Sequence, residues 1–293
     1  MLAEQNENRA QGILWMLATM FCFITLDAIM KHLLEHLPLV QVTWARFFFA
    51  TLVAIIACGR RLPSLVVSQN PKRQLLRSVL LMTTTGLFNA GIRSTPLATA
   101  TTIMFLNPIL VTVLSIPVLG ERVSLSRWSG VLFGLAGAIL VVRPWTEGMG
   151  AHGYGVLFLL LAAFFNANYQ ILTRQVRRDD PLTSLLYTAA AGAAVTSLMV
   201  PWFWAWPSTF EWSLLVLSGV AGGLGHLCLI RSFGCAPASV VAPFSYSSLV
   251  WATIFGLVIW GDWPDIWTWA GAALIIGSGL YIFNRERTPD ENR

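Results

Sequence analysis

Ten apolar runs, each long enough to cross a lipid bilayer, recur along the 293-residue chain. A helix needs about 20 consecutive, predominantly apolar residues to traverse the hydrocarbon core. With that window the spans fall at 12–34, 39–58, 74–93, 97–118, 127–143, 153–173, 182–204, 211–233, 237–259 and 266–284. No water in lipid can pair an exposed peptide group, so each run must satisfy its own backbone as a helix. Prolines at 38, 63, 71, 96, 144, 181, 207, 237 and 264 sit at or near the ends of these runs, where they break no interior ladder. The expected fold class is an all-α integral membrane protein of ten transmembrane helices, with no stretch left for a soluble domain.

Composition agrees. Charged residues make up 11% of the chain and hydrophobic ones 56%, where a soluble domain carries about 25% charge. The net charge of +5 excludes little by itself, but its placement is informative. With the amino terminus in the cytoplasm, 15 of the 19 basic residues fall on inner segments, Arg77 among them. Lys31, Arg93 and Arg143 fall outside, and Arg46 lies within a span. This is the positive-inside pattern and not a nucleic-acid surface. It predicts cytoplasmic termini and a bacterial-type inner (cytoplasmic) membrane. Trp202, Trp204, Trp206, Trp212, Trp263 and Trp267 crowd the opposite loops, as interfacial rings do. The first helix lacks the short apolar core and cleavage site of a secretory signal, so it is expected to be retained. Cys22, Cys58, Cys228 and Cys235 have no paired spacing and are read as small packing residues.

A shift of 141 residues superimposes landmarks of the two halves. Gly12 falls on Gly153, Phe23 on Phe164, Pro96 on Pro237 and Gly120 on Gly261; Glu121 meets Asp262, Trp128 meets Trp269 and Gly130 meets Gly271. Five helices per half is an odd number, so the second half must enter the membrane inverted. Residues 1–146 and 147–293 are therefore read as two inverted five-helix repeats around a central cavity, a recurrent transporter design with substrate near the midplane.

The whole chain resembles the drug/metabolite transporter superfamily, of the ten-helix EamA type. The likeness rests on Lys31, on Arg46-Phe47-Phe48-Phe49-Ala50, on Pro96-Leu97-Ala98, on Asn107-Pro108 and on Leu119-Gly120-Glu121. Ala236-Pro237-Ala238 and Trp260-Gly261-Asp262 echo them in the second half. The resemblance implies a cavity lined by the first, third, fourth, sixth, eighth and ninth helices, and the bacterial exporters of amino acids, aromatic ones included, look most similar. It leaves open import of S-adenosylmethionine, or drug efflux.

Polar groups within the spans nominate the site. Asp27 and Arg46 lie seven residues from the outer ends of adjacent antiparallel helices, about 10 Å deep at 1.5 Å per residue. They are gating or ion-pair candidates with Lys31 as a competing partner, or else proton-coupling or substrate groups. Pro108 leaves the carbonyl of Met104 without its donor, and the segment Ser245-Tyr246-Ser247-Ser248 after Pro243 is its counterpart. Asn107, Pro108, Ser245, Tyr246 and Ser248 are accordingly substrate-binding candidates, or an ordinary kink with serines bonded back to their own helix. Asn166, Tyr169 and Gln170 share one helix face; they bind substrate or join helices. His226, flanked by Gly222, Gly223 and Gly225, is a packed neutral imidazole or a proton carrier. Trp15, Trp44 and Trp251 pack, anchor or stack on a ligand. Two Gly-x-x-x-Gly motifs, at Gly130/Gly134 and Gly219/Gly223, do not separate a monomer from a homodimer.

His32-Leu33-Leu34-Glu35-His36 matches a zinc-protease pattern but has no supporting domain, and no nucleotide-binding glycine loop precedes a lysine. No cofactor, metal or catalytic residue is expected. A membrane-embedded enzyme would need convergent acids or histidines. The expected partners are lipid and a small-molecule substrate of amino-acid type.

Overall fold

The computed structural model of the protein describes residues 2–107, 109–111, 113–114, 125–142, 151–176, 179–236 and 241–287. Its helices are α1 (Leu2–Leu33), α2 (Leu39–Cys58), α3 (Pro71–Ile92), α4 (Leu97–Met104), α5 (Leu125–Val142), α6 (Ala151–Gln175), α7 (Pro181–Met199), α8 (Thr209–Cys235), α9 (Ser247–Phe255) and α10 (Ile266–Arg287). Among the described residues, six helices are long and apolar enough to cross a membrane, and four shorter apolar ones (Leu97–Val111, Leu132–Val141, Phe244–Trp260, Ile266–Ser278) complete the series. The chain is a multi-pass, all-α membrane protein.

The helix ends follow from local chemistry. Pro71 and Pro181 open α3 and α7 at positions whose N–H has no intrahelical partner. Asp180 caps α7 by accepting from Leu182 N at 2.9 Å, and Ser208 with Glu211 forms a reciprocal capping box on α8. The fourth and ninth helices are the broken ones. In the fourth, Leu106 N reaches only to Ile103 O, at 3.0 Å, so the helix tightens at the break. The ninth runs from a 3₁₀ segment (Ala242–Tyr246) through α9 into a π turn (Gly256–Trp260). Gly261 ends it at φ +71°, a left-handed conformation that favours glycine.

Packing reproduces the repeat. α1 lies against α8 and α3 against α6, both antiparallel; α5 packs on α10 and α2 on α7. A two-repeat arrangement with α6–α10 equivalent to α1–α5 makes the first two pairs the same contact seen twice, and the last two self-related. Glycines let the backbones approach. A Cβ on Gly12 would stand 2.7 Å from that of Ala236, and one on Gly91 2.9 Å from Gly155 O. One end of the bundle carries the basic connections around Arg60, Arg61, Lys72 and Arg73. The other carries the tryptophans, where Trp204 packs on Trp44, Trp206 and Trp212.

Candidate functional site

A cavity of about 700 Å³ opens between α2, α3, α6, α7 and α8. It runs from mid-bundle, at Arg46, Phe47 and Gly222, to the basic end, at Val176, Asp179 and Phe233. Its walls are largely apolar, with polar groups concentrated on α3, α6 and the start of α7. Of the residues nominated above, Arg46, Asn166, Tyr169, Gln170 and His226 line it.

Arg77 also lines this cavity and is 4% exposed. Counted above with the inner-segment charges, it instead stands inside α3, because that helix begins at Pro71. Its Nε donates to Thr173 at 2.8 Å; Nη1 donates to Gln74, to the Ser184 carbonyl and to Thr188; Nη2 donates to the Tyr169 hydroxyl at 2.8 Å. The guanidinium also lies 4.7 Å from the Tyr169 ring centre. A buried cation must be paired and hydrogen-bonded, and here Gln74 relays the balance. Its oxygen faces Arg77 at 3.2 Å, and its nitrogen donates to Asp179 at 2.8 Å. Asp179 further accepts from the Ser68 hydroxyl and from Gln69 N. Partial burial works against its charge, yet these hydrogen bonds hold its carboxyl below the usual range. Arg61 and Asp180, 3.1 Å apart, tie the same two connections. The signal for Arg77 was present in the sequence: an arginine inside the limits of its own span is expensive in lipid.

Arg46 differs. It lines the cavity from α2, but among the described residues it makes no hydrogen bond and has no carboxylate within the 4.0 Å of an ion pair. Asp27 on α1 is coupled to it electrostatically without contact. His226 packs its ring edge-on against Phe23, centroids 5.0 Å apart.

Lys31 takes other partners than Asp27. Its Nζ bonds the Thr95 carbonyl at 3.1 Å and Asp262 at 3.5 Å, and lies 4.8 Å from the Trp260 ring centre. Trp260 Nε1 in turn donates to Glu35 at 2.7 Å. The turn made by Gly261 thus clasps the end of α1 at the tryptophan end of the bundle. Glu35, part of the histidine pattern, is engaged in that clasp.

The two broken helices meet, as Phe105 packs edge-on against Tyr246 with centroids 5.1 Å apart. Their polar groups do not line the cavity described here. Asn107 Nδ2 donates to the Met104 carbonyl at 2.8 Å, and Ser248 bonds back to the Ser245 carbonyl at 2.8 Å. Pro108 lies outside the described residues. No described residue of α1, α4 or α9 lines this space either, whereas α2 and α7 do. Trp251 packs on Phe21, Trp15 lies under Arg231, and Trp44 bonds Ser197 at 2.9 Å.

The EamA-like transporter family model matches twice, over residues 10–143 and 153–284. The chain belongs to the EamA-like transporter family. It is 28% identical over 277 residues to an S-adenosylmethionine uptake transporter of Rickettsia prowazekii, covering 94% of this chain and 93% of that protein. It is 27% identical over 267 residues to a pseudopaline exporter of Pseudomonas aeruginosa, covering 90% and 93%. A solved crystal structure superposes with TM-score 0.63 at 21% identity, covering 92% of this chain and 99% of that one, a likeness of fold. As an EamA-type protein the chain is a membrane transporter and not an enzyme.

Proposed function

We propose that this EamA-type transporter exports amino acids and related small metabolites bearing a free carboxylate across the inner membrane. The observation that carries the reading is Arg46, a cavity-lining guanidinium with no hydrogen-bonded partner of its own among the described residues. A guanidinium whose N–H groups have no acceptor in a low-dielectric site gains most from a ligand that brings one, a carboxylate above all. Arg77, with five hydrogen bonds to neutral groups already made, shapes the wall. Phe47, Leu185 and Phe233 offer apolar surface to a side chain.

The mechanism is alternating access. Both termini are cytoplasmic, so the basic end is the inner one and the cavity opens inward. The Lys31–Asp262 and Trp260–Glu35 contacts close the outer end. Rocking repeat 1–146 against repeat 147–293 exchanges that closure for one at the basic end.

Uptake of S-adenosylmethionine is the second reading. It is supported by the full-length likeness to a transporter so named and by the 700 Å³ volume, within the range of about 300–1,000 Å³ that holds drug-sized ligands. Counterflow in liposomes, with labelled amino acids and labelled S-adenosylmethionine, separates the two; an imposed pH gradient reads direction and proton coupling. Arg46→Met is expected to slow exchange about tenfold or more, the worth of a hydrogen bond to a charged group. Exchange of no carboxylate solute, or undiminished exchange in Arg46→Met, overturns the proposal.

A further inference from the structure

Inverted repeats switch a transporter by trading conformations. Each contact between the halves is then carried to the contact 141 positions along the repeat register. For α1–α8 that counterpart is a different pair, α3–α6. For α2–α7 it is the opposite end of the same pair.

Both ends of α2–α7 are closed in this one structure. At the tryptophan end, buried Gln41 holds the backbone of Ala205, donating to its carbonyl at 2.8 Å and accepting from its N–H at 2.9 Å. Midway, a Cβ on Gly192 would stand 2.6 Å from the Phe47 ring. At the basic end, Arg61 donates to Asp180 at 3.1 Å and the Tyr187 hydroxyl donates to the Val66 carbonyl at 2.9 Å. The register carries the Gln41–Ala205 contact onto positions 182 and 64. There Leu182 and Leu62 pack on one apolar cluster of Ala54, Leu185 and Leu186. The Lys31–Asp262 clasp behaves otherwise, because its counterpart is a different contact, between positions 172 and 121.

We propose that α2 and α7 form the fixed axle of the transport cycle, held together at both ends in the inward-open and outward-open states alike. This rests on alternating access as read above and on no particular solute. Two ends that are both closed now are both closed after they exchange roles, so the halves pivot about this pair and do not part along it. The clasp has no such constraint and opens when the halves switch. Arg46 precedes Phe47, the axle's midpoint contact. The cavity-lining guanidinium is therefore carried by an element that moves little, and a solute held there keeps its depth while the closures alternate.

Reversible crosslinking of the full-length protein in liposomes tests this, with its own cysteines replaced by alanine. Gln41→Cys with Ala205→Cys, and Arg61→Cys with Asp180→Cys, are each joined by a short thiol crosslinker, singly and then together. Counterflow should persist in all three. Lys31→Cys with Asp262→Cys, joined in the same way, should lose counterflow and regain it on reduction. Loss on joining either axle end, restored by reduction, overturns the proposal, as does counterflow that survives the joined clasp. Spin-label distances give a second readout that needs no solute. Labels at Val40→Cys and Trp206→Cys report one axle end, Arg60→Cys and Pro181→Cys the other, and His36→Cys and Trp263→Cys the clasp. Removing both clasp bonds with Trp260→Leu and Asp262→Ala should lengthen the clasp distance alone. An axle distance that lengthens with it overturns the proposal, even in a protein that exchanges no carboxylate solute. Axle distances that hold in such a protein support the axle while the reading of Arg46 fails.

Discussion

The α1–α8 and α3–α6 contacts are one interface built twice, yet among the described residues both helices of the second line the cavity and only α8 of the first does. Along α1–α8 glycine contacts run from the basic end to mid-bundle. Gly12 meets Ala236 at the basic end, Gly225 meets Phe23 midway, and Gly222 meets Leu26 beyond. Along α3–α6 glycine contact is confined to Gly91 and Gly155, toward the tryptophan end. Nearer the basic end the helices are bridged by Arg77 reaching Tyr169 and Thr173. The 141-residue register explains the difference. Arg77 corresponds to Ser218, whose hydroxyl bonds back to Leu215 O at 2.7 Å. Tyr169 and Gln170 correspond to Ala28 and Ile29, both buried in apolar packing. A shared backbone pairing thus becomes a seal or a binding wall according to a few side chains. What breaks the symmetry is side-chain length and polarity, not topology.

The strongest test of this comparison exchanges nothing between the halves but removes the matched residues in turn. Arg77→Leu should strand the buried Gln74 oxygen, at about 1–3 kcal/mol for a group left unpaired, and remove the bridge to Thr173 and Tyr169, while Thr188 and the Ser184 carbonyl keep their bond to each other. A fall of several degrees in melting temperature and loss of transport are expected. Ser218→Ala removes one local bond and should stay within about 1 kcal/mol. Equal effects of the two variants in thermal unfolding would undo the argument.

A smaller effect is expected on the sealed side. Gly12→Val places a Cβ 2.7 Å from Ala236 and 3.3 Å from Ser232 O, an overpacking cost of about 1–3 kcal/mol. Gly86→Ala on α3, with nothing within 4 Å of the added Cβ, should be neutral or stabilising by up to about 1 kcal/mol. Melting temperatures of the two variants check this directly.

The smallest effect is a pH dependence at the mouth. Because the Asp179 carboxyl is held below the usual range, its hydrogen bonds add stability above the unfolded carboxylate value of about 3.9. That contribution is lost as pH falls through the lower folded value. The stability gap between wild type and Asp179→Asn should hold constant from neutral pH to about pH 5 and shrink below about pH 4. A gap that closes near neutrality would place the controlling group elsewhere.

Fold class was legible because lipid imposes it. Apolar runs of sufficient length and an odd-numbered repeat leave few alternatives, and the expected span 153–173 coincides with the apolar stretch Gly153–Thr173. The cavity was legible only in part. The shared face of Asn166, Tyr169 and Gln170 follows from helical spacing, and those residues do line it. Arg77 was counted with the inner-segment charges although it lies within the span 74–93, because hydropathy cannot tell a charge at the interface from one buried by tertiary partners. Apart from Gln74, the partners of Arg77 and Lys31 lie 64 to 231 residues away in sequence, and no local pattern encodes them. The broken helices were found through Pro108 and Pro243, but the contact of Phe105 with Tyr246 depends on packing across the repeats.

The bond from Asn107 to the Met104 carbonyl carries a consequence for how position 107 tolerates change. Proline at 108 cannot supply the amide hydrogen that this carbonyl would otherwise receive, and the neighbouring carboxamide supplies one in its place. The two residues therefore act as a single unit: leucine at 107 would expose a vacancy that alanine at 108 could refill. Damage from the first change should be relieved by the second, a dependence between adjacent codons that needs no solute to explain it.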